Sequence, residues 1–121
     1  MAGSGATRVL LVEDNSLVAL GTSEMLIDLG HEVTVAESGA AAMALIEAGT
    51  PFDLVITDHA MPGMTGIELA GHIQATRPGL PVILASGYAE LPAGSAATLV
   101  RLDKPYRLDG LAAVIDSVLK R

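Results

Sequence analysis

Cysteine is absent from the chain, which removes disulfides, thiolate nucleophiles and sulfur metal ligands together. That absence suits a reducing compartment. Aromatic residues are nearly as scarce, with only Phe52, Tyr88 and Tyr106. Any core must therefore be aliphatic, and no aromatic surface is available for stacking nucleic-acid bases. Basic residues are few: 7 against 14 acidic ones, for a formal net charge of -7. A phosphate backbone would be repelled over most of such a surface, so direct nucleic-acid binding is not expected. No apolar run approaches the ~18 residues needed to span a membrane. The opening MAGSGAT lacks the basic start and apolar core of a signal peptide, and the expected location is the cytoplasm.

What is present is aliphatic and ordered. At 121 residues and 50% hydrophobic, the chain has enough apolar side chains for one core. The reading is a loose segment over residues 1–7 and one domain over 8–121. Five apolar runs read as strands: RVLLV (8–12), EVTVA (32–36), DLVIT (53–57), PVILA (81–85) and LVRL (99–102). Their continuous, β-branched character suits parallel strands covered on both faces. Helical patterns alternate with them. Val18, Gly21, Met25, Leu26 and Leu29 share one spacing, stopped by Gly30. Ser38 heads a helix with Ala41, Ala42, Leu45 and Ile46; a third runs from about Gly66 to Thr76 and a last one from about Leu108. Residues 88–98 hold Pro92 and Gly94 and no strong apolar stripe, so they read as a short or moving helix. Strict alternation predicts a doubly wound α/β domain.

The polar residues at the strand ends carry the chemistry. Glu13, Asp14, Asp58, Ser86 and Lys104 each stand just past an apolar run, on the rim where open parallel sheets bind ligands. Three carboxylates brought within ~4 Å would repel by roughly 4 kcal/mol per pair at an effective dielectric of 20. Such a group calls for a cation, and an all-oxygen ligand set favours Mg²⁺ over Zn²⁺. With Lys104 as a mobile positive charge and Ser86 as a hydroxyl, the set matches phosphoryl transfer onto an aspartate. Asp58 is the expected nucleophile, since it ends the central strand and opens the glycine-containing loop HAMPGMTG. Glu13 and Asp14 form the expected metal pair. Singly, Asp14 with Asn15 and Ser16 reads as a helix cap, Asp58 and Ser86 as turn residues and Lys104 as an exposed lysine. Their joint placement after strands one, three, four and five reverses those readings. His31, His59 and His72 have no partner at ligand spacing, and Met25, Met43, Met61 and Met64 read as packing residues.

Four motifs in order, VLLVEDN, VITDHAMPGMTG, VILASGY and LDKPY, resemble the receiver domain of two-component response regulators over about residues 8–120. The resemblance implies a (βα)5 sandwich with strand order 2-1-3-4-5. It implies phosphorylation of Asp58 by a histidine kinase or histidine phosphotransfer protein, with self-catalysed phosphorylation and dephosphorylation rather than turnover of a substrate. It further assigns Asp14, Asp58 and the Ala60 carbonyl to Mg²⁺, with Glu13 acting mostly through water. Lys104, Ser86 and the Ala60 and Gly87 backbone N–H groups are assigned to the phosphoryl oxygens. In one respect the chain departs from that pattern, because Arg101 stands three residues before the lysine where most receivers have an aromatic switch residue. ASGY resembles a subgroup found in many hybrid kinases, and Ser86, Tyr88 and Arg101 are therefore the switch candidates. A flavin or nucleotide binder would want a phosphate loop where Glu13 and Asp14 stand. A cobalamin module resembles D-x-H-x-x-G, a spacing that Asp58-His59-Ala60 breaks. The remaining competitor is a receiver-like interaction module that is never phosphorylated.

Overall fold

The structure, a computed structural model, describes residues 7–59, 61–86, 100–103 and 106–119. Five strands, β1 (Arg8–Val12), β2 (Glu32–Ala36), β3 (Leu54–Asp58), β4 (Val82–Ser86) and β5 (Val100–Asp103), pair in the order β2-β1-β3-β4-β5. Every pairing is parallel. The expected order is the observed one. Thr7 already joins this ladder, since its carbonyl accepts the Glu32 N–H at 2.8 Å.

Period-two alternation divides the core into two layers. Leu10, Val12, Val55 and Val82 face α2 (Gly39–Glu47) and α3 (Gly66–Thr76), packing on Ala42, Ile46, Leu69 and Ile73. Val9, Leu11, Leu54, Ile56, Ile83 and Leu102 face α1 (Ser16–Asp28) and α4 (Leu108–Leu119), packing on Ala19, Leu26, Leu111 and Ile115. Such a doubly covered sheet explains why the strands read as nearly unbroken aliphatic runs. Each fully buried leucine or isoleucine contributes roughly 1.5–3 kcal/mol.

Three strands end one residue later than the apolar pattern indicates. Asp58, Ser86 and Asp103 continue the ladder, with Asp58 in register with Ala85 and Ser86 with Asp103. Asp58 is thus the last residue of β3, one past the apolar run. The segment 88–98, expected as a weak helix, lies outside the described residues.

α1 is rotated from the expected face. Ala19, Thr22 and Leu26 are buried, Met25 and Leu29 are half-buried, and Val18 and Gly21 face outward with Leu17, Leu20 and Ile27. With apolar residues on every side of this helix, spacing alone selects no face, and the small Ala19 and Thr22 allow the closest approach to the sheet. On α2 the same effect leaves Ala41 exposed while Ala42 and Ile46 are buried. Thr22, although polar, is buried because its hydroxyl pairs with the Tyr106 hydroxyl at 2.8 Å, across 84 positions of chain. Gly30 stops α1 as expected: at φ 92° its N–H reaches the Ile27 carbonyl, and the His31 N–H reaches Leu26.

Removing the tyrosine hydroxyl leaves the buried threonine without this partner. Tyr106→Phe should lower the unfolding free energy by about 1–2 kcal/mol in urea titration; an unchanged midpoint would show that the pair contributes nothing. His31 gives a pH dependence. Its burial holds the imidazole below the ordinary value of 6.5, with the Asp116 carboxylate pulling upward. A depressed folded-state value means that the linked stability is complete above pH 6.5 and is lost as pH falls below it. His31→Gln should therefore flatten the decline in melting temperature on acidification from neutral pH, and an unaltered slope would refute that role.

Candidate functional site

The carboxyl ends of β1 and β3 form the site, and register brings them together. Val12 pairs with Thr57, so the next residue of each strand, Glu13 and Asp58, stands side by side at the rim. Both are buried, at 6% and 5% exposure, whereas Asp14 is exposed. One carboxylate oxygen from each of Glu13, Asp14 and Asp58 lies within 4.8 Å of the other two. At that spacing each pair of like charges costs about 3–4 kcal/mol at an effective dielectric of 20. The cluster is an oxygen-only set able to hold a metal ion.

Local hydrogen bonds aim these groups. The Glu13 N–H donates to the Ala36 carbonyl at 3.0 Å, extending the ladder past Val12, and its Oε2 accepts the Asn15 N–H at 3.1 Å. Asn15 also caps α1, its Oδ1 accepting from the Leu17 and Val18 N–H groups at 3.0 and 3.2 Å. Since Asn15 fills the cap, Asp14 is left to face the rim. A cleft of about 510 Å³ opens beside the cluster toward β2, lined by Glu13, Asp14, Ser16, Leu20, Val35 and Glu37 among others.

Beyond Asp58 the chain turns back on itself. The His59 N–H donates to the Ala85 carbonyl at 3.0 Å, and the His59 carbonyl accepts the Gly66 N–H at 3.0 Å. Thr57 Oγ1 donates to the Asp58 carbonyl at 2.9 Å. Gly63 turns the intervening loop at φ 83°. Thr65 and Glu68 close a capping box at the start of α3, with bonds of 2.9 and 3.2 Å.

Of the residues expected at the site, Glu13, Asp14 and Asp58 are brought together. Ser86 ends β4, one position past the strand partner of Asp58. Arg101 is exposed on the edge strand β5, in register with Leu84 and two positions short of that strand's end. Ala60, Gly87, Tyr88 and Lys104 lie outside the described residues. Sequence reasoning had Asn15 only as part of a helix cap and Gly66 only as a helix start, and assigned neither to the site. The first had a signal, an asparagine directly before a helical pattern; the second is visible only as a close approach in space.

Comparison with known proteins decides the family. The response regulator receiver domain profile matches residues 9–116. The chain belongs to that family. This receiver is 37% identical to the sensor kinase CckA of Brucella abortus over 98% of its own length and 13% of the kinase's. It is thus a small fraction of that relative's length. Among solved structures, a response regulator receiver protein from Sinorhizobium medicae superposes with a TM-score of 0.85 at 28% identity, covering 94% of each chain. The receiver domain of the hybrid histidine kinase CckA superposes with a TM-score of 0.78 at 28% identity, over 93% of this receiver and 99% of that chain.

Gly66 tests how tightly the receiver holds Asp58. A Cβ there would fall 2.5 Å from Leu84 Cδ1, 2.6 Å from the Asp58 carbonyl oxygen and 2.9 Å from the His59 Cα. Two of those atoms are backbone and cannot rotate away. Gly66→Ala should destabilise the domain by about 1–3 kcal/mol in urea unfolding, and a wild-type midpoint would show that the loop yields without cost.

Proposed function

We propose that this receiver accepts a phosphoryl group on Asp58 from a phosphohistidine donor, with Mg²⁺, and so switches a partner interaction. The observation that carries the proposal is the trio of carboxylates within 4.8 Å, two of them buried, at the end of the central strand of a receiver fold. Such a group of like charges is stable when a divalent cation offsets it, and three hard oxygen donors suit Mg²⁺. Asp14 and Asp58, with the Ala60 carbonyl, would hold the ion directly and Glu13 through water. When bound, it neutralises charge on the phosphoryl oxygens.

The chain's own groups do the rest. An ionised Asp58 oxygen attacks phosphorus in line; the P–O bond forms as the P–N bond to the donor imidazole breaks, and the imidazole leaves with the electron pair. Lys104, the Ser86 hydroxyl and the Ala60 and Gly87 N–H groups would receive the phosphoryl oxygens. Because acceptor, ion ligands and lysine all belong to the receiver, it catalyses its own phosphorylation, and later water attack on phosphorus releases phosphate. It is a signalling switch, not a turnover enzyme.

The donor is a histidine kinase or histidine phosphotransfer protein in the cytoplasm. Its surface must cover the rim beside α1, where Leu17 is 79% and Leu20 57% exposed directly after the acidic pair. Apolar contact there would seat the donor histidine over Asp58. The response passes through Ser86, Tyr88 and the segment 88–98, since Arg101 occupies the usual aromatic position.

Incubation with acetyl phosphate and Mg²⁺, followed by intact mass, tests the proposal. The wild type should gain one phosphoryl group, and Asp58→Asn or excess chelator should abolish the gain. An unmodified wild type, or an Asp58→Asn variant modified to the same extent, sinks the phosphoacceptor reading in favour of an unphosphorylated interaction module.

A further inference from the structure

α2 supplies no residue to the acidic cluster, yet its first residue touches the loop that leaves Asp58. A Cβ built on Gly39 would lie 2.6 Å from Met64 Sδ, 3.0 Å from Met64 Cβ and 3.1 Å from Met64 Cγ. The methionine side chain therefore lies along the bare Cα of residue 39. Its sulfur can rotate aside, but its Cβ is fixed to the loop backbone, so a side chain at position 39 requires a shift of a few tenths of an ångström between α2 and the loop. Met64 is half-buried against a cluster that includes Ala42, Ile46, Met61 and Leu69, which blocks retreat inward. The two ends of the loop are anchored, by the His59 N–H on Ala85 and the Gly66 N–H on His59. The first of these anchors directly follows Asp58.

We infer that Gly39 is a positioning residue for phosphoryl transfer: by leaving the space that Met64 fills, it lets the first turn of α2 clamp the β3–α3 loop in the conformation that presents Asp58. The inference rests on the reading of Asp58 as the phosphoacceptor. It is specific to the missing side chain, not to the helix. Gly39 carries no positive φ, its backbone accepts any residue, and alanine is the better helix former. Gly39→Ala therefore carries no intrinsic helix penalty, and the Met64→Ala background isolates the contact itself.

The test compares wild type, Gly39→Ala, Met64→Ala and the double variant. The time course of phosphorylation by acetyl phosphate with Mg²⁺ is read by intact mass, well below each unfolding midpoint. Gly39→Ala should slow the wild-type chain about tenfold, as expected for a small misplacement of a reacting group. In the Met64→Ala background, where the obstructing atoms are gone, the same substitution should cost less than about twofold. Equal slowing in both backgrounds, or none in either, overturns the inference. Amide exchange of the Gly66 N–H in the unphosphorylated proteins provides a readout that does not need the reaction. It should quicken in Gly39→Ala, with no further quickening when that change is added to Met64→Ala. Should the wild type take up no phosphoryl group, the Asp58 reading falls, and the exchange comparison still decides the clamp: unchanged exchange in Gly39→Ala overturns it.

Discussion

Parallel pairing of β1 with β3, in the register that sets Val12 against Thr57, is the constraint from which the site follows. A slip of one residue would turn Glu13 or Asp58 to the other face of the sheet and break up the cluster. That register is enforced by the two-sided aliphatic core, because Leu10 and Val55 must reach α2 and α3 while Leu11 and Ile56 must reach α1 and α4. The packing that fixes this register therefore also fixes the three carboxylates within 4.8 Å of one another. Fold and site are one bargain, in which an acidic rim that opposes itself is carried by a sheet buried on both faces.

Around that rim, backbone groups do most of the aiming. Asn15 serves two ends, capping α1 with its side chain and orienting Glu13 with its N–H. The β3–α3 loop is closed by backbone bonds and by two places where a side chain is missing, Gly66 over the Asp58 carbonyl and Gly39 under Met64. Placing Asp58 on a strand end and its loop against two helices gives it rigid support on several sides, which a pre-organised site requires.

The strands were legible because burial on both faces leaves runs such as RVLLV and LVIT that few other environments produce. Their ends were not, since a polar residue closing an apolar run looks like a loop, whereas Asp58, Ser86 and Asp103 still pair with neighbouring strands. α1 was legible as a helix but not in its orientation. Leu17, Leu20 and Ile27 are as apolar as Leu26, and only contact with the sheet and Tyr106 selects Ala19 and Thr22 for the inside. The acidic trio was readable from strand-end position, while Asn15, Gly66, Gly39 and Met64 were not recognised as its support.

By itself, the sequence determined the class of the fold and the chemistry at its rim. Apolar periodicity and residue type are local properties, and Glu13, Asp14 and Asp58 declare their oxygen chemistry without any neighbour. Only the tertiary structure decided the face that α1 buries, the 4.8 Å spacing of the carboxylates and the close approach of two glycines to the β3–α3 loop. Those depend on distances between residues far apart in the chain, such as Thr22 and Tyr106 or Gly39 and Met64. Such distances are settled when two aliphatic layers close on one sheet.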